Sequence, residues 1–312
     1  MANIGDLLQS RQEQKEQWKE NKQAEREELS AIIDNGLDEV TGSAGKFVQY
    51  LRMQAKIPAY GASNTILIMA QRPGVTEVRS MRQWNKLGRS INRGESGIKI
   101  LVPEEYSYQQ KVERRDDYSG EVYTEQVHRE GRGYKVGRVF DLLQTNGRLA
   151  PRHPELAEGT HQLDAGLRAL LDLSPAPVVS RETLAQPARY DEQNAVIFVQ
   201  PEAGGGEMFR ALAAEIGHAR IHDGGRFQDY RREDFSLDAD SVSFILCQRF
   251  GVQTPTPDFS QVSELYGGLE KEDKRMFLDG IQSLAEKLGN RVEREVSPQQ
   301  QARTAPDFRR GR

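Results

Sequence analysis

The sequence predicts an α+β fold in two domains: an N-terminal α+β domain, then a C-terminal domain that is mostly helical with a small sheet. Three observations carry this. Apolar residues recur at helical spacing within residues 41–72, 207–222, 238–250 and 270–292. Short apolar runs meet at glycine turns between residues 75 and 147. Residues 148–162 combine Pro151, Pro154 and Gly159 with charges, which is the composition of a linker.

In chain order, residues 5–40 are rich in Gln, Glu, Lys and Arg and lack proline. They read as one or two helices with a solvated face, or alternatively as helices that bind a protein partner. Phe47, Tyr50, Leu51 and Met53 continue at helical spacing until Pro58. Ser63 is the predicted N-cap of a helix over Thr65–Gln71, ended by Pro73-Gly74. Val75–Val78 reads as a strand, Ser80–Leu87 as a short helix, and Ser90–Asn92 and Gly97–Val102 as strands around the turn at 93–97. Residues 104–133 alternate Tyr, Glu, Arg and Asp, the pattern of a polar β-hairpin turning near Tyr118-Ser119-Gly120, and Tyr134–Asp141 returns as a half-buried strand. The second domain offers a helix over Leu163–Leu171, strands at Val178-Val179 and Ala195–Val199, and a helix over Glu207–His222 stopped by Gly224-Gly225. Helices over Asp238–Phe250 and Glu270–Val292 follow, and Ser297–Arg312 reads as disordered. The triple glycine at 204–206 is not followed by Gly-Lys-Ser/Thr, so it is a poor phosphate loop.

Composition narrows the class. Charged residues make up 29% of the 312 residues, mean hydropathy is −0.71, and no run of 18 apolar residues exists, so no membrane span is expected. The first residues lack the apolar core of an export signal, and Cys247 has no partner for an internal disulfide. A cytoplasmic protein with no membrane partner is the expectation. Cys247 lies in the apolar run 242–250 and reads as a packing residue.

Charge is distributed unevenly. Between Lys46 and Pro103 there are ten Lys or Arg against Glu77 and Glu95, a local balance of +8 in a chain of net −4. Such a stripe fits a polyanion, and the interleaved rings and amides fit single-stranded nucleic acid, whose bases are free to stack. The candidate phosphate contacts are Arg79, Arg82, Lys86, Arg89, Arg93 and Lys99, with Arg138 joining from a strand. Trp84 is either a stacking platform or a core residue. Tyr60 and Asn64 open a helix, where Asn64 either meets nucleic acid or caps locally.

These blocks have a family resemblance. Tyr60-Gly61-Ala62-Ser63-Asn64, Gln71-Arg72-Pro73, Trp84–Arg89, Gly94–Pro103 and Val139–Thr145 occur in the order and at the separations of the single-stranded-DNA-binding domain of ArdC-type (LtrC-like) antirestriction proteins. The resemblance implies that residues 28–147 are this domain, preceded by a charged extension over 1–27. It also implies that residues 163–292 are a zincin-like, metallopeptidase-like domain followed by a basic tail over 293–312. Single-stranded DNA is the implied partner, and protection of mobile-element DNA during transfer is the implied role.

The second domain departs from the family pattern. Active members carry His-Glu-x-x-His, two zinc-binding histidines on one helical face with a glutamate general base between them. The matching residues are Ala214, Glu215, Ile216, Gly217 and His218, so the first ligand is missing. Ser236 stands where the third is expected, with Asp238 nearby. A domain with no cofactor and no peptidase activity is the main expectation. The alternative is a rearranged zinc site of His218, His222 and Asp238, in which Glu215 acts as base only if a metal is bound.

Overall fold

The computed structural model describes residues 3–115, 118, 120–150 and 154–297; most of the stretch expected to be a disordered tail lies outside them. The architecture is α+β, as the periodicities indicate. Helix α1 (Ile4–Thr41) is a single helix whose exposed face is braced by pairs such as Gln23 to Glu27, and it is buried through Leu29, Ile33, Leu37 and Val40. Helix α2 (Ala44–Lys56) starts at the Ser43 cap. Helix α3 (Ala62–Gln71) begins before Ser63, with Gly61 as N-cap. The cap expected of Ser63 is replaced by a distant one: the free N–H of Ala62 donates to Asp279 Oδ1 at 2.6 Å.

Strand β1 (Val78–Arg79) leads into α4 (Met81–Lys86), where Ser80 and Gln83 form a capping box. Strands β2 (Arg89–Ile91), β3 (Ile98–Arg115), β4 (Val122–Asp141) and β5 (Thr145–Gly147) complete the first half. β3 and β4 form one antiparallel ladder from Ile98↔Val139 to Arg115↔Val122, so the separate short strands read around Val102 and Tyr134 are the roots of one long hairpin. Sheet order is β1-β4-β3, and β2 pairs with β5.

β3 has an open edge, and α3 covers its root. Gln71 bonds both the N–H and C=O of Lys99, at 2.9 and 2.8 Å, and Asn64 does the same to Leu101, at 2.8 and 2.9 Å. Residues alternate in direction along a strand, so Pro103 shares this outward side and its missing N–H removes no ladder bond.

The second half contains α5 (His161–Leu173), β6 (Val178–Ser180), β7 (Ala188–Asp191), β8 (Val196–Val199), α6 (Gly205–His222), α7 (Ser236–Phe250), α8 (Val262–Tyr266) and α9 (Lys271–Val296). Its sheet runs β6-β8-β7, with β6 parallel and β7 antiparallel to β8. The triple glycine opens α6, and the anion at its free amides is Glu158, which accepts from Gly205 and Gly206 at 2.8 Å each. The αL residue after α6 is Asp223, one position before the Gly224 expected to stop it.

The two halves share a core. Phe47 of α2 meets Phe259 edge-on at 5.3 Å, α2 packs on α7, and buried residues from Leu29 to Val296 form one cluster. Helix α9 is tied to α1 by Lys271 and Lys274, each 2.8 Å from Asp38. Among the described residues no helix is long and apolar enough to cross a membrane.

Candidate functional site

Several of the sequence blocks of the first half brace one another. Asp141 is buried and accepts from Thr76 N, Thr76 Oγ1 and Glu77 N at 2.9, 3.0 and 3.2 Å, fixing the approach to β1. Gln144 accepts from Asp141 N at 3.0 Å and donates to Glu95 and Ser96, at 2.7 and 2.9 Å, which ties the 93–97 turn to the end of β4. Trp84 is fully buried, with its Nε1–H donating to Phe140 O at 2.8 Å. The guanidinium carbons of Arg79 and Arg89 lie 5.7 and 5.9 Å from its ring centre. Of the two readings of Trp84, the structure shows the core residue.

The remaining candidates divide by whether their charge is already engaged. Arg79 pairs with Glu77, Arg89 bonds Thr145 and the Arg148 carbonyl, and Lys99 lies 3.3 and 3.4 Å from Glu25 and Glu28. Arg82, Lys86, Arg93 and Arg138 are exposed, and their side chains form no hydrogen bond or ion pair with a described residue. They sit on α4, on the turn after β2 and on β4, and α4 packs against both β2 and β4. Asn64 is held by Leu101 as above. Tyr60 is half-buried against the apolar cluster that includes Met53, Ile57 and Ile68, and burial raises the pKa of its phenol.

In the second half, α6 carries Glu215, His218 and His222 at successive turns, all buried. Glu215 is forked by Arg232, at 2.7 and 2.5 Å, and also accepts from Tyr190 N at 2.7 Å. His218 Nδ1 and the Tyr230 hydroxyl share a 2.9 Å hydrogen bond. Burial, reinforced by the Arg232 and Arg189 cations, pushes the His218 pKa down to about 3, so the ring is neutral at pH 7. His222 Nδ1 pairs with Tyr190 hydroxyl at 2.7 Å and stacks on Tyr230 at 4.7 Å. Asp238 lies elsewhere, accepting from Tyr266 at 3.1 Å beside an apolar cavity, and Ser236 bonds the Arg232 carbonyl at 2.8 Å.

Residues 22–140 match the family described as the N-terminal domain of anti-restriction factor ArdC. The match covers 119 of the 312 residues and is to this N-terminal domain alone. The metal-free crystal structure of the antirestriction ArdC protein from plasmid R388 is 20% identical, covering 76% of this chain and 85% of that one, with a TM-score of 0.40. Its Mn(II)-bound structure is 18% identical, covering 87% and 99%, with a TM-score of 0.47. No curated protein matches the chain.

A metal centre of the kind the ArdC resemblance implies finds no matching donor set. Among the described residues no group of three His, Cys, Asp or Glu stands together to hold a metal. His218, His222 and Asp238 form no such group, and they hydrogen-bond to three different tyrosines, Tyr230, Tyr190 and Tyr266. The cation that meets Glu215 is the guanidinium of Arg232. Arg232, Tyr190 and Tyr230 were not singled out from the sequence. They lie 17, 25 and 15 positions from Glu215, beyond the reach of any local spacing rule.

Proposed function

We propose that this protein binds single-stranded DNA through its ArdC N-terminal domain, with little sequence preference. Its cellular role is to protect mobile-element DNA in the cytoplasm from restriction during transfer. The first domain spans 28–147 and the second 163–292, and the second is a metallopeptidase remnant without catalysis. One observation carries the DNA reading: the segment matching the ArdC domain presents Arg82, Lys86, Arg93 and Arg138 to solvent with their charges unpaired. Free guanidinium and ammonium groups on adjoining elements suit a flexible phosphate chain, where each contact releases counterions. The remnant reading rests on Glu215, whose two oxygens are engaged by Arg232 and so are not free to activate water.

The test is fluorescence anisotropy of the full chain with single- and double-stranded 20-mers at 50 and 200 mM salt. Preference for the single strand and a steep loss of affinity with salt are expected. Equal affinity for both forms, or binding insensitive to salt, overturns the reading.

A second reading, recruitment of a protein partner, is favoured by α1. Ile4, Leu7, Leu8 and Trp18 are 74, 56, 62 and 62% exposed, an unusual set of apolar groups for a solvated helix. Removal of residues 1–27 then leaves DNA affinity intact and abolishes protection in cells.

A further inference from the structure

A cleft of about 680 Å³ opens between α1, α2 and α3, outside the group of cations described above. Its size falls within the range of about 300–1,000 Å³ common to ligand sites. The floor is apolar and formed by Ile32, Met53, Ile66 and Met69. Gly36 keeps the helices close there, since a Cβ at that position collides with Ile66 Cγ2. The rim is polar. Lys46, Gln49, Arg52 and Lys56 recur every three or four residues along one face of α2, and Asn35 faces them from α1.

The polar groups of this rim are available. Arg52, Gln49 and Asn35 are exposed and form no side-chain hydrogen bond or ion pair with a described residue. By contrast, the amides of Asn64, Gln71 and Gln144 in the same domain are all engaged. Lys46 pairs with Glu39 at the mouth, and Lys56 donates to Val75 O at 3.3 Å while staying exposed. Arg52 and Lys56 also line a second cleft of about 240 Å³, bordered by Thr76, Gln248 and Arg249. Two cavities sharing a cationic wall suit a linear polyanion that crosses α2.

We propose that the cleft is a nucleotide subsite for single-stranded DNA, resting on the DNA-binding reading above. One base lies on the thioethers of Met53 and Met69, which make favourable contacts with aromatic rings. Asn35 and Gln49 meet its edge, offering both donors and acceptors to any base. The flanking phosphates take Arg52 and Lys56. A duplex is excluded because its bases are paired and stacked inward, away from the floor.

The test uses the full chain, a fluorescein-labelled dT20, and an abasic phosphodiester of equal length. Arg52→Ala/Lys56→Ala changes two exposed side chains, and an unchanged melting temperature verifies the fold. Loss of two phosphate contacts lowers the salt slope of log K for dT20 by about 1.4 and the affinity at least tenfold. The wild type binds the abasic strand at least fivefold more weakly than dT20. If the wild type binds dT20 and the double variant stays within twofold, the subsite is wrong and the DNA reading stands. Equal affinity for the abasic strand, or displacement of dT20 by polyglutamate at equal charge, also overturns it. A wild type that binds no dT20 removes both.

Discussion

Substituting Arg232 by Met tests whether the guanidinium has become a structural counter-ion. The side chains of Arg232 and Glu215 are only 14 and 6% exposed, and both carboxylate oxygens accept from the guanidinium. Met keeps the volume and removes the charge, leaving a buried carboxylate with the Tyr190 N–H as its remaining partner. Breaking one side of a buried pair costs about 3–5 kcal/mol, and the partial exposure of Arg232 favours the lower figure, about 3. For a chain of this size that is a fall in melting temperature of roughly 6 °C. Glu215→Gln/Arg232→Met removes both charges while retaining an acceptor for Tyr190, and recovers most of the loss. Urea unfolding of the wild type, both single variants and the double variant gives a coupling energy, expected to exceed about 2 kcal/mol. A single variant within 0.5 kcal/mol of wild type, or a double no better than Arg232→Met, refutes the reasoning.

Two further outcomes follow from individual sites. Burial raises the Asp238 carboxyl to about 6. Its folded pKa therefore lies above the unfolded one, and ionisation above pH 4 opposes folding increasingly until about pH 6. Asp238→Asn should stabilise the protein by about 2–3 kcal/mol at pH 7.5 and have little effect at pH 3.5, measured by denaturant melts at both pH values. Trp84→Phe deprives the Phe140 carbonyl of its 2.8 Å donor and should cost about 1–3 kcal/mol. Affinity for dT20 per folded molecule should be unchanged, and a large loss would make Trp84 a DNA contact.

What could be read from the sequence was local. Ser80 and Gln83 stand three apart and declare the start of α4, and the alternating polar run at 104–133 declares a hairpin. The roles of Asn64 and Gln71 could not be read, because their partners lie on a strand 28 to 37 residues away. Ser63 looked like a cap because the competing cap, Asp279, is 217 residues from Ala62. The absence of a histidine at 214 was visible in the sequence, but the cation that engages Glu215 was not. Arg232 is one of many arginines until the fold brings it to α6. In the basic stripe the charge was legible. Which cations are engaged depends partly on Glu25 and Thr145, which only tertiary structure places beside Lys99 and Arg89.

The β3–β4 hairpin has a consequence for how this molecule opens. Beyond Val102 and Val136 no residue of either strand is buried, so the thirteen rungs from Pro103↔Tyr134 to Arg115↔Val122, roughly 40 Å of ladder, are held mainly by their own pairing. Cross-strand pairs such as Lys135 with Glu104 and Arg114 with Glu125, at 3.0 and 2.7 Å, are the extra ties along it. Such a ladder unzips from its tip, so amide exchange along it is a gradient, fastest near residue 120 and slowest at Ile98 and Val139, where the core begins. Added salt weakens the cross-strand pairs and moves the point of fraying inward, while the α3-clamped root stays shut.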